Sequence, residues 1–139
     1  MATVVERSDV PVMCVRVSDD LPGIRAAWER LESIVPLPGR RFFGAVEEGA
    51  AYLACAERKE GDDPDALGLE SLVLPGGRYL RERLHGEPPG VYDQIAPTFQ
   101  TLAEQAEVDE TRPNIEFYRR RDEIDLLLPV SSKSKPLLR

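Results

Sequence analysis

VPVMCVRVSDDLPGIRAAWERLESIV, residues 10–35, passes from one periodicity to another. The run VPVMCVRV (10–17) is apolar and rich in valine, which predicts a buried strand. After it, Ile24, Trp28, Leu31 and Val35 recur at the spacing of one helix face. Asp19 or Asp20 can cap that helix, Pro22 suits its first turn, and PLPG (36–39) stops it. RFFGAV (41–46) and AAYLACAE (50–57) then read as two strands around the turn Glu47-Glu48-Gly49. The order is strand, helix, strand, strand.

The second half repeats this order. LESLVLPGGRYLRERL (69–84) has strand material on both sides of Pro75-Gly76-Gly77. PPGVYDQIAPTFQTLAEQA (88–106) has Val91, Ile95, Leu102 and Ala106 at helical spacing, and Pro97 should kink that helix or start a second segment. NIEFYRR (114–120) and EIDLLLPV (123–130) are the closing strands, around Arg121-Asp122. Pro22-Gly23-Ile24 aligns with Pro89-Gly90-Val91 at an offset of 67 (89 − 22), and Phe42 aligns with Glu116 at an offset of 74 (116 − 42). The expectation is one α+β domain over 1–139. Its duplicated β-α-β-β units span about 8–57 and 69–131. Together they should form a curved antiparallel sheet with two helices on one face and a central ligand cleft. The charged segment 58–67 reads as a mobile loop, and 132–139 as a frayed tail.

Composition works mainly by exclusion. The 139 residues suit one domain. A net charge of −7 argues against nucleic acid or an anionic membrane as direct partner. No stretch approaches the roughly 18 apolar residues of a membrane span, and no signal-like segment opens the chain, so a cytoplasmic protein is expected. Cys14 and Cys55 lie in apolar runs and read as buried strand residues, although a disulfide between them stays open. No zinc-type spacing, phosphate loop or catalytic triad occurs, so neither metal nor cofactor is expected. His85 reads as a solvated strand end, and Arg119, Arg120 and Arg121 as turn flanks.

One carboxylate stands apart. In NIEFYRR the side chains alternate, so Glu116 and Tyr118 share one face while Ile115 and Phe117 share the other. We assign Ile115 and Phe117, with Ile124, Leu126 and Leu128, to the helix-covered core. Glu116 then falls on the opposite face. A glutamate between such neighbours is partly desolvated, so it needs a cationic partner or a raised pKa. A strand glutamate is most often solvent-exposed or paired with arginine, and several arginines are near, so pattern alone leaves both readings open.

The residues then reach a resemblance. Gly77-x-Tyr79, Arg112-Pro113-x-x-Glu116-x-Tyr118 and Leu128-Pro129-Val130 follow in order. Trp28, Leu31, Phe43-Gly44 and Tyr52 precede them in the first half. Over about 8–131 the chain resembles the GyrI-like small-molecule-binding domain, the effector-binding domain of AraC-type and MerR-type bacterial regulators, in a stand-alone form. The resemblance implies that Glu116 sits at the floor of a central pocket that attracts lipophilic cations. It makes Tyr118 and Tyr79 wall candidates, with Trp28 and Tyr52 as further ligand-binding candidates that helix and strand spacing equally place in the core. The implied function is sensing or sequestering a hydrophobic, cationic compound, linked to transcription regulation or drug and toxin resistance. The duplicated unit leaves no segment for a helix-turn-helix, so any transcriptional role is expected to need a partner protein. One alternative is a hydrolase of strained-ring toxic natural products, with Glu116 and Tyr118 as catalytic candidates. Another is a gyrase-inhibitor-like interaction module using the acidic stretches Glu60–Asp65 and Glu104–Glu110.

Overall fold

The computed structural model describes residues 2–47 and 51–131. The centre of the expected turn at 47–49 and the expected tail at 132–139 lie outside them. The strands are β1 (Thr3–Arg7), β2 (Val10–Ser18), β3 (Phe42–Glu47), β4 (Ala51–Glu57), β5 (Glu70–Leu74), β6 (Gly77–His85), β7 (Asn114–Arg120) and β8 (Glu123–Pro129). The helices are α1 (Leu21–Ile34), the short α2 (Pro64–Leu67) and α3 (Ile95–Ala103), with a 3-10 turn at Gly90–Gln94 leading into α3. All eight strands form one antiparallel sheet in the order β1-β6-β8-β7-β3-β4-β2-β5.

This order reads as a palindrome once β1 is matched with β5, β2 with β6, β3 with β7 and β4 with β8. The first two pairs stand 67 residues apart (70 − 3 and 77 − 10), and the other two 72 apart (114 − 42 and 123 − 51). The duplication is therefore borne out, with two corrections. The offset of the last two strands is 72, not 74. Each unit also opens with a strand outside the β-α-β-β order: β5 is the strand material expected before Pro75, and β1 was not expected. These extra strands are exchanged, since β1 pairs with β6 of the second unit and β5 with β2 of the first. The central pair β3–β7 lies on the pseudo-twofold axis.

Local chemistry explains the helices. The Asp20 side chain caps α1, accepting from the Gly23 N–H at 2.7 Å, and Pro22 sits in the first turn. Ala27 and Leu31 are the buried positions of α1. Pro97 lies in the first turn of α3, where no helical partner for its nitrogen is needed, so the break precedes it as a 3-10 segment. Within 58–67, Arg40 grips Asp62 with two bonds of 2.6 and 3.0 Å, and Asp63 caps α2.

The helices pack on one face, α1 over β2 and β4 and α3 over β6 and β8. Their cores contain Met13, Ala27, Leu31, Tyr52 and Ala54 on the α1 side, and Leu80, Phe99, Leu102, Ile124 and Leu126 on the α3 side. A third cluster fills the other face. It joins Leu74 of one edge region to Tyr79 near the other edge through Phe43, Ile115 and Leu127. One cluster can span both ends of the strand order only if the sheet curls around it, so that face is the inside of the curl.

This overturns one expectation. Glu116 pairs directly with Leu126, and antiparallel partners point to the same side. Glu116 and Tyr118 therefore face the helices with Ile124, Leu126 and Leu128, while Ile115 and Phe117 line the inside of the curl. The alternation holds, and the helix-covered face is the one that carries Glu116.

Candidate functional site

Glu116 sits on β7 between Gly44 of β3 and Leu126 of β8, in the seam between the two helices. Gly44 is what lets the site form. A Cβ there would stand 2.2 Å from the Tyr52 hydroxyl oxygen and 2.5 Å from Glu116 Oε1, inside the contact distance of real atoms. By the 72-residue offset Gly44 and Glu116 are equivalent positions of the two units. One copy supplies the carboxylate and the other supplies its space.

The polar network is short. The Tyr118 hydroxyl donates to Glu116 Oε1 at 2.6 Å, and the Tyr52 hydroxyl donates to the same oxygen at 3.0 Å. The Trp28 indole N–H donates to the Tyr52 hydroxyl at 3.0 Å. Oε2 accepts no hydrogen bond among the described residues and is not fully sealed from solvent. No lysine, arginine or histidine among the described residues pairs with Glu116, although only 5% of its surface is exposed. Burial raises its pKa, the two tyrosine hydrogen bonds oppose the rise, and Asp19 adds to it through its charge. Burial, then the charge of Glu116, pushes both phenols well above their usual range, so they remain neutral donors.

Aromatic rings close over this carboxylate. Trp28 meets Tyr118 edge to face at 5.3 Å and lies 6.4 Å from Phe42. Tyr92, from the 3-10 turn, meets Tyr118 edge to face at 6.5 Å and is exposed. Depressions of about 330 and 240 Å³ lie elsewhere, on the outer side of α1 and at the β1–β2 corner. Trp28, Phe42, Tyr92 and Tyr118 thus gather on the helix side of the sheet around the Glu116 position.

Of the sequence candidates, the structure brings together Glu116, Tyr118, Tyr52 and Trp28. Tyr79 is not with them. It pairs with Pro129 and Val5, a parity opposite to Glu116, and is fully buried inside the curl. Its hydroxyl donates to the Pro75 carbonyl and its ring carries Arg112 at 4.8 Å. The Gly77-x-Tyr79 and Arg112 motifs thus build a brace, not a wall. Arg119 pairs with Glu123 and Arg121 with Glu87, as turn flanks should. Phe42 and Tyr92 complete the cage. Tyr92 gave no signal in sequence because its turn has no regular period.

No family model and no curated protein matches the sequence. Solved structures do. SAV2435 bound to tetraphenylphosphonium is 13% identical over 95% of this chain and 94% of its own, with a TM-score of 0.66. The EcmrR C-terminal domain is 11% identical over 94% of this chain and 98% of its own, with a TM-score of 0.62. A hydrolase from Listeria innocua is 13% identical over 94% of this chain and 91% of its own, also with a TM-score of 0.62. The chain shares the fold of these three structures.

Proposed function

We propose that this protein binds a hydrophobic, cationic small molecule, with Glu116 as its counter-ion and Trp28, Tyr52, Tyr118, Phe42 and Tyr92 as its aromatic surround. The observation that carries this reading is a buried carboxylate that, among the described residues, has no cationic partner and one oxygen without a hydrogen bond. A buried charge without a partner is costly, and a guest cation removes that penalty. Aromatic faces add about 0.5–2 kcal/mol for a desolvated cation. Two neutral phenols on Oε1 hold the carboxylate in place without neutralising it. The likeness to the tetraphenylphosphonium-bound SAV2435 supports the ligand class, and the likeness to the EcmrR effector domain supports a role in sensing.

Trp28 is the single tryptophan and belongs to the cage, so its fluorescence reports the site directly. Titration with tetraphenylphosphonium should quench it saturably. Glu116→Gln should weaken binding about 10–100-fold, equivalent to roughly 1.4–2.8 kcal/mol. Equal affinity in the two proteins would remove Glu116 from the reading.

The Listeria innocua hydrolase favours a second reading, turnover of a strained-ring compound with Glu116 as general acid or water-positioning group. Against it, the hydrogen-bond partners of Glu116 are two neutral tyrosines, and neither is a base. Product beyond one equivalent per protein would replace the binding reading with this one.

A further inference from the structure

The inside of the curl carries a half-buried cation that no acid pairs directly among the described residues, although the charge of Asp125 acts on it. There Phe43 and Phe117 stack with centroids 4.9 Å apart. Two guanidinium groups lie over this pair, Arg7 at 5.5 Å from the Phe117 centroid and Arg41 at 5.8 Å from that of Phe43. Arg7 comes from an edge strand and Arg41 from the start of a central one, so only the curl brings them together. Arg41 is paired with Glu57. Arg7 is half-buried, yet among the described residues it has no hydrogen bond or ion pair. Arg81, on β6 between Thr3 and Leu127, also has none. Burial, then the like charge of Arg41, holds the Arg7 pKa below its usual value.

The nearby acids are already engaged. Buried Asp125 is held by Arg83 through bonds of 2.7 and 3.2 Å. A depression of about 240 Å³ opens beside Arg7 and Arg41. In its wall, Glu6 is paired with Arg78 and Asp9 accepts the Gly76 N–H at 2.6 Å. A guanidinium lying on an aromatic face keeps its in-plane N–H fork free, and that fork matches an oxyanion.

We propose that this corner binds a small oxyanion, a phosphate or carboxylate group, between Arg7 and Arg41, with Arg81 adding to the local positive field. The protein as a whole is acidic, at −7, so the attraction is local and not a long-range effect of net charge. The proposal is independent of the Glu116 site, which lies on the other face.

Isothermal titration with inorganic phosphate and, separately, with benzoate tests it, with sodium chloride holding ionic strength constant. Saturable binding is expected, and the tighter of the two anions identifies the group recognised. Arg7→Gln should weaken it at least tenfold while leaving the tetraphenylphosphonium response unchanged. Should that variant loosen β1, Arg81→Gln, on a strand paired on both sides, should still weaken binding several-fold. No saturable heat with either anion, or unchanged binding in both variants, overturns the proposal.

Discussion

Glu116 makes the molecule sensitive to pH in a direction that can be worked out. Folding raises its pKa above the unfolded value near 4.5, mainly by burial. Between those two values the native state holds more protons than the unfolded chain. The stability tied to protonated Glu116 is therefore complete below the unfolded value and is lost as pH rises through the folded value. Glu116→Gln keeps an acceptor for both tyrosines and does not titrate. Urea unfolding between about pH 4 and about pH 7 should show the variant gaining on the wild type as pH rises. Parallel curves for the two proteins would contradict a desolvated carboxylate. The prominence of Glu116 was legible because a charge flanked by Ile115 and Phe117 breaks an apolar run. Its face was not. All of Ile115, Glu116, Leu126 and Leu127 are buried, so a central strand covered on both sides carries no polar stripe to say which side is which.

At the scale of elements, Arg112 ties together the turn before β6 and the end of β8. Its side chain donates to the carbonyls of Gly76 at 3.3 Å, Arg78 at 3.0 Å and Val130 at 2.8 Å, and pairs with Asp109 at 2.9 Å. Gly77 has a positive φ of 124°, and a Cβ there would meet the guanidinium at 2.8 Å. The motif glycine thus serves both the turn and the brace. Arg112→Ala removes a donor from each of three carbonyls, of which that of Arg78 keeps the Val130 N–H, and we expect a loss of about 2–4 kcal/mol. A lower urea midpoint with an unchanged slope, and a retained tetraphenylphosphonium response, would fit a brace remote from the site. Loss of the response in a folded variant would restore this motif to the pocket. Helix and strand order was legible because the apolar periods of 2 and 3.6 differ sharply. β1 was not legible, because TVVER is a half-exposed edge strand whose alternation is too short to stand out.

On the scale of the whole molecule, the exchanged strands decide whether two units behave as one. β1 belongs by symmetry to the first unit but completes the sheet beside β6 of the second, and β5 does the reverse. The central β3–β7 pairing alone would join the halves only along the axis where Gly44 and Glu116 meet. The exchange adds two further ladders across the unit boundary, so neither half can open without disturbing the other. The inner cluster depends on this, because it draws residues from both halves around Phe43 and Ile115. Removing residues 1–7 should therefore do more than trim an edge. It takes away the β6 ladder, uncovers Tyr79 and Leu127, and leaves β6 as an unpaired edge that invites association with another copy. We expect a lower urea midpoint and concentration-dependent self-association, read by light scattering. A truncated protein that stays monomeric at the wild-type midpoint would show that the β1–β6 ladder adds nothing to the cohesion of the two units. The β3–β7 seam that holds Glu116 and the β2–β5 ladder would then be enough to join the two copies.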